Sequence, residues 1–213
     1  MSLDIPDVVI ERLPQYLRSL RALKNRNIAL VSSADLGIES GVTPAQIRKD
    51  LSYFGKFGKQ GQGYNVKALA DDLTRILGLD QSWPVILAGV GRLGKAILTY
   101  PDFTPEGFFI VSAFDSDPVI VGTDVAEITI RPVEQINEYI KENNIRIAIL
   151  AVPGESASDL IDQLVQSGIR AILNYAPITP KVPDNVQIQN IDPVHSLQTM
   201  TFHLSDITLD TNS

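Results

Sequence analysis

Hydrophobic residues in the first third of the chain recur at spacings of three and four, the period of helices that bury one face. From about residue 80 they cluster instead into short unbroken apolar runs, the mark of strands buried on both faces, separated by helical stretches. The pattern therefore predicts a helical part followed by a βα-alternating part. Between them, 78–84 carries Gly and Pro and reads as a linker.

In the first part, the segment from Pro6 to Leu23 predicts a short helix and then a second one opening near Pro14, where a missing N–H is tolerated. Ser33 is placed to cap a helix over 34–40 that Gly41 ends. Thr43 caps the next, with Pro44 at the first helical position and Gln46 completing a capping box; Val42 and Ile47 form its hydrophobic staple. A helix over 44–54 follows, and two helices joined by such a short turn make a helix-turn-helix. Its buried stripe is Ile47, Leu51 and Phe54. The opposite face carries Ala45, Gln46, Arg48, Lys49, Ser52 and Tyr53. These types suit DNA: Arg reads guanine, Gln reads adenine, and Lys, Ser and Tyr reach the backbone. The glycine-rich stretch 56–64 predicts a tight hairpin, a wing whose Lys56 and Lys59 would lie over a phosphate strand or a minor groove. A three-helix packing module with a polar face is the plainer alternative. Asn65 caps a last helix that Gly78 stops.

In the second part, 84–88 predicts a buried strand running straight into Gly89, Val90, Gly91, Arg92, Leu93 and Gly94, a G-x-G-x-x-G turn. A helix over 92–99 and a strand over 108–114 come next, ending at Asp115, 21 residues past Gly94. Strand, glycine turn, helix, strand and acid in that register form a dinucleotide fingerprint. The glycines let pyrophosphate approach the helix start, and the acid meets the adenosine ribose. A carboxylate there repels a 2′-phosphate, which favours NAD(H) over NADP(H), and Asp117 adds to this. A module for coenzyme A or another nucleotide remains the competing reading. The alternation continues as helices over 133–143 and 155–167 and strands over 145–152, 169–173 and 186–191. Loops at the strands' carboxyl ends nominate Ala151, Val152 and Pro153, with Asn174 and Tyr175, as walls of the nicotinamide side. After Asp192, the stripe Val194, Leu197, Met200, Leu204 and Ile207 marks a terminal helix. It docks either on a second subunit or on its own domain.

The fold class is thus α/β: a winged helix-turn-helix domain at 1–78, a Rossmann-type parallel α/β domain at 79–192, and a C-terminal helix and tail at 193–213. The net charge of −7 is unevenly divided. Residues 1–78 hold 11 Lys+Arg against 8 Asp+Glu, a net +3, and 79–213 hold 7 against 17, a net −10. Within 45–67 five basic residues face only Asp50, and the local field, not the total, governs DNA contact. With no cysteine, disulfides, thiol nucleophiles and thiolate metal sites are excluded. No apolar run suffices to cross a bilayer and the N-terminus lacks a secretory pattern, so a cytoplasmic location without membrane contact is expected. An enzyme is not expected: the residues after 78 roughly suffice for the nucleotide fold alone, His195 and His203 fall on the terminal helix, and no catalytic or metal-ligand group stands out. An NAD-dependent oxidoreductase with an accessory N-terminal domain is the alternative.

The chain resembles the Rex family of bacterial redox-sensing transcriptional repressors. The resemblance rests on Arg12-Leu-Pro-Gln-Tyr16, on 45–59 followed by Gly61-Gln-Gly-Tyr-Asn65, on the glycine turn at 89–94 and on Asn174-Tyr-Ala-Pro177. It implies a homodimer that binds a palindromic operator when NAD⁺ prevails and leaves it when NADH binds, with the C-terminal helix exchanged between subunits. It also implies DNA contacts at Arg48, Lys49, Tyr53 and Lys59, and cofactor contacts at Gly89, Gly91, Gly94 and Asp115. Arg12, Tyr100 and Asp192 are similar to the residues whose pairing changes with redox state. Pro193 and Arg92 depart from the family pattern, beside the nicotinamide and inside the glycine turn.

Overall fold

The computed structural model describes residues 5–58 and 62–210, with side chains along the last helix up to Phe202 and at Leu204. The chain forms two units, Met1–Gln81 and Ser82–Ser213.

The first unit opens with one helix, α1 (Asp7–Asn25), where the sequence predicts two. Pro14 sits inside it on the exposed face. A proline there costs about 3 kcal/mol, but α1 buries a stripe of Val9, Leu13, Tyr16, Leu17, Leu20 and Leu23. Each such side chain contributes about 1.5–3 kcal/mol, so the stripe carries the helix through the proline. β1 (Leu30–Val31) leads into α2 (Ser33–Ser40). Its cap is Ser32, one residue earlier than the sequence predicts, whose Oγ accepts the Asp35 N–H at 3.0 Å. Thr43 caps α3 (Pro44–Ser52) by accepting the Gln46 N–H at 3.3 Å. The reciprocal arm of the capping box is absent, because the Gln46 amide reaches Asp50 instead. Ile47 and Leu51 are buried as expected. β2 (Tyr64–Asn65) precedes α4 (Val66–Ile76), which Asn65 caps through the Ala68 N–H at 2.9 Å.

Residues 59–61 of the expected hairpin over 56–64, Lys59 among them, fall outside the described residues. Residues 56–58 lie in no strand, and β2 pairs antiparallel with β1. The pairing partner thus comes from before α2, a distance in sequence that turn signals do not report. Gly63, at φ +74, makes the close approach: a Cβ there would lie 2.5 Å from the Val31 carbonyl oxygen.

The second unit is a seven-stranded sheet in the order β5-β6-β4-β3-β7-β8-β9. Its strands are β3 (Trp83–Ala88), β4 (Phe108–Asp115), β5 (Asp124–Val125), β6 (Ile128–Pro132), β7 (Ile147–Leu150), β8 (Ala171–Asn174) and β9 (Gln187–Asn190). All neighbours run parallel except β5 and β6. The β5–β6 hairpin escapes sequence reading for a physical reason. Its two-residue turn is Ala126-Glu127, both at positive φ, without the Asn-Gly or Asp-Gly signal that such turns usually carry.

β3 alternates its side chains between two cores. Val85 and Leu87 pack with Ile97 and Leu98 of α5 (Arg92–Leu98) on one face. Ile86 and Ala88 pack on the other with α6 (Ile136–Glu142) and α7 (Gly154–Ser167). Connections leave β3 toward β4 on one side and return to β7 on the other, so the strand order reverses beside β3. A crevice opens at such a point. α8 (Pro193–Asp210) closes the chain with Val194, Leu197, Met200 and Leu204 each more than half exposed; the side chain of Ile207 lies outside the described residues.

Candidate functional site

The crevice of the second unit is built from backbone first. Gly89 follows β3 at φ +92, and a Cβ there would stand 2.5 Å from the Ala151 carbonyl oxygen. Gly94 lets α5 rest on the turn, since its Cβ would meet the Gly89 oxygen at 2.1 Å. Gly91, the cap of α5, differs: a Cβ there meets nothing within 4 Å, which leaves the turn open to a ligand. Asp115 ends β4 and fastens the turn, its Oδ2 accepting the Val90 N–H at 2.6 Å and its Oδ1 the Asp117 N–H at 2.8 Å. Each oxygen retains a lone pair for a further donor such as a ribose hydroxyl.

These groups border a cavity of about 730 Å³. Of the residues expected there, Gly89, Gly91, Asp115, Ala151, Val152 and Pro153 line it. Val90 and Gly94 are buried behind the turn, while Arg92 and Leu93 are exposed outside its lining. Asn174 and Tyr175 do not line it either. Asn174 is wholly buried and its polar atoms are occupied by the loop after β8 and by the end of β9: Nδ2 donates to Ala176 O at 3.1 Å and Asn190 Oδ1 at 2.8 Å, and Oδ1 accepts the Ala176 N–H at 2.9 Å. It shapes a loop rather than a wall.

Sequence reasoning missed further parts of the lining, among them Ile120, Val133 and Leu160 as apolar surface and Glu134, Glu155 and Asp159 as acids. Val133 and Glu134 open the segment read as a helix over 133–143, and nothing local shows that its start faces the crevice. Glu155 and Asp159 share one face of α7 at a spacing of four, a signal that was present. With Asp115 and Asp117, five carboxylates and no Lys or Arg line the cavity. Such a wall accepts hydroxyl donors and repels a second phosphate on an adenosine ribose. The open glycine turn, the acid at the end of β4 and the apolar surface fit the adenosine and pyrophosphate of a dinucleotide.

In the first unit, the exposed side of α3 presents Arg48, Lys49 and Ser52, with Tyr53 partly exposed at its end and Lys56 exposed just beyond. Arg48 Nη1 donates to Ser33 Oγ at 2.7 Å, and Ser52 Oγ donates to Lys49 O at 2.6 Å. Arg48, Ser52 and Lys56 border a hollow of about 590 Å³ together with Ser32, Ser33 and Tyr64. Asp50, the one acid of the segment, points the other way and is wholly buried. Its Oδ2 accepts Arg12 Nε and Tyr16 OH, each at 2.6 Å; its Oδ1 accepts Arg12 Nη2 at 2.8 Å and Gln46 Nε2 at 2.6 Å. Burial pushes the Asp50 carboxyl up, but the hydrogen bonds from Arg12, Tyr16 and Gln46 outweigh it and hold it below its ordinary value. Burial and the bond to Asp50 push the Tyr16 hydroxyl up.

The three residues expected to re-pair with redox state have other partners here. The guanidinium of Arg12 is bound at two points to Asp50 within its own unit. Tyr100 stacks edge-on against Phe103 with ring centroids 5.3 Å apart. Asp192 caps α8, its Oδ1 accepting the Val194 and His195 N–H groups at 2.9 and 3.1 Å.

Residues 4–52 match a family described as putative DNA-binding protein N-terminus, and residues 80–178 match one described as CoA binding domain. The chain is 52% identical over 200 residues to the redox-sensing transcriptional repressor Rex of Chloroflexus aurantiacus, covering 94% of each chain. It is 44% identical to that of Desulforamulus reducens, covering 96% of this chain and 97% of that one. Among solved structures, RSP in complex with β-NAD⁺ and operator DNA superposes with a TM-score of 0.92 at 40% identity, covering 98% of this chain and 96% of that chain. RSP in complex with β-NADH gives 0.88 at 38% identity, covering 98% of both. RSP is described as a Rex-family repressor. No helix among the described residues is long and apolar enough to cross a membrane.

Proposed function

The chain belongs to the Rex family of redox-sensing transcriptional repressors, and we propose that NADH, bound in the second unit, weakens the grip of the first unit on operator DNA. It is a regulator and not an enzyme. The observation that carries this reading is the likeness, across nearly the whole chain, to a repressor held with both β-NAD⁺ and operator DNA.

The residues supply the means. DNA contact is assigned to Gln46, Arg48, Lys49, Ser52, Tyr53 and Lys56, and to Lys59, which lies outside the described residues, with phosphate contacts giving most of the affinity and the register and base contacts the specificity. Gly89, Gly91 and Asp115 hold the dinucleotide, with Ala151, Val152 and Pro153 toward the nicotinamide. NAD⁺ carries a flat cationic ring and NADH a puckered neutral one, and that difference is what the site discriminates. The five carboxylates lining the cavity favour NAD(H) over coenzyme A, whose adenosine carries a 3′-phosphate, and over NADP(H), which carries a 2′-phosphate. The match to a CoA-binding description then reflects the shared βαβ framework.

The protein acts as a cytoplasmic homodimer. The bare apolar stripe of α8 supports this, since such a surface belongs against a partner, and exchange of α8 between subunits is the arrangement we favour. Two recognition helices must stand roughly 34–36 Å apart to enter successive major grooves, and a coupling of about 1–3 kcal/mol suffices to lose the operator. Titration of a palindromic operator at fixed salt tests this: affinity falls at least several-fold on replacing NAD⁺ with NADH. Equal affinity in both would overturn the proposal.

A further inference from the structure

Asp50 poses a chemical constraint on its neighbour Gln46. A carboxylate bound at two points by an arginine is ionised, and an ionised carboxylate only accepts hydrogen bonds. The end of the Gln46 side chain that meets it at 2.6 Å is therefore the –NH2, and the usual ambiguity between amide oxygen and nitrogen disappears. Gln46 remains only half-buried. One N–H is used toward Asp50, which leaves Oε1 and a second N–H without partners among the described residues. It stands in the first turn of α3, where recognition helices contact base edges. An acceptor beside a donor complements adenine in the major groove, whose N6 donates and whose N7 accepts.

We propose that Asp50 is a positioning residue for base recognition, fixing Gln46 so that its free amide edge reads an adenine in each operator half-site. Arg12 and Tyr16 hold Asp50 from α1, so the orientation of a base-reading group is set by a helix that need not touch DNA. This deepens the reading above and rests on α3 entering the major groove.

The test uses the full chain and a duplex that it selects from a random pool. Each adenine is replaced in turn by 7-deazaadenine, which lacks N7, and affinities are measured at fixed salt. The unaltered protein loses about tenfold or more at one adenine per half-site. Gln46→Ala loses sensitivity at that position and keeps it elsewhere. Asp50→Ala removes the acceptor that holds Gln46 Nε2, so the 7-deazaadenine penalty shrinks at that position and is kept elsewhere, whereas an unchanged penalty there overturns the positioning role. If Asp50→Ala does not fold, Arg12→Gln, which loosens the hold of α1 on Asp50, takes its place with the same two outcomes. A 7-deazaadenine profile that is flat, or that is identical in Gln46→Ala and the unaltered chain, overturns the proposal while operator binding stands. Failure of the unaltered chain to select any duplex overturns the underlying reading as well.

Discussion

The carboxylate of Asp115 accepts the Val90 N–H at 2.6 Å, tying the end of β4 to the glycine turn that follows β3. One acid thus shapes the turn and also faces the cavity beside it. Asp115→Asn keeps an acceptor for Val90 but removes the charge, so NADPH and NADH should bind with more nearly equal affinity. Asp115→Ala removes both, and NADH affinity should fall by about 1.5–3 kcal/mol, the worth of a hydrogen bond to a charged group. Fluorescence titration with each nucleotide reads both effects.

Gly91 and Gly94 should fail differently. A methyl at 94 meets the Gly89 backbone oxygen at 2.1 Å, so Gly94→Ala forces α5 off the turn and destabilises the chain by about 1–3 kcal/mol. A methyl at 91 meets nothing, so Gly91→Ala keeps the melting temperature and loses NADH affinity through obstruction of the pyrophosphate. Thermal unfolding alongside nucleotide titration separates the two.

Lys49→Ala should weaken operator and unrelated DNA alike, with the slope of log affinity against log salt reduced by about 1. Arg48→Ala should do more, because Arg48 is anchored to Ser33 and presents a directed guanidinium. NADH binding in the second unit should be unaffected by either. Anisotropy titrations across a salt series measure this.

The Asp50 cluster makes stability depend on pH at both ends. Asp50 in the folded chain holds its carboxyl below the ordinary 3.8, so unfolding takes up a proton in acid. Its contribution is complete above that value and is lost as pH falls through the lower, folded one. Tyr16 is raised above the ordinary 10.0, so its contribution is complete below pH 10 and is lost as pH rises beyond. Arg12→Ala leaves a buried charge without its partner and should cost about 3–5 kcal/mol. Tyr16→Phe should cost about 1.5–3 kcal/mol and abolish the alkaline loss. Urea unfolding followed by circular dichroism at acid, neutral and alkaline pH tests these signs.

Most of the fold was legible because the signals were local. The Thr43 cap, the Asn65 cap, the glycine turn and the run of β3 each announce themselves within a few residues. Apart from the β5–β6 hairpin, whose turn lacks the usual residues, what stayed hidden depended on partners distant in sequence. Nothing near Asp50 says that Arg12 and Tyr16 will bury it, and nothing near Tyr64 says that it pairs with Val31. Pro14 misled because a local break was overruled by a buried stripe along the whole of α1. Asn174 misled for a related reason: the loop it closes consumes the polar atoms that a ligand would need.

Hiding Asp50 changes what a polyanion senses from afar. Counting formal charges along 45–67 subtracts one acid from the cations, yet that acid lies inside, neutralised by Arg12 from another helix. The outward potential of α3 is therefore more positive than a tally of its residues suggests. The gain appears in how quickly encounters with DNA occur, an advantage that added electrolyte erodes.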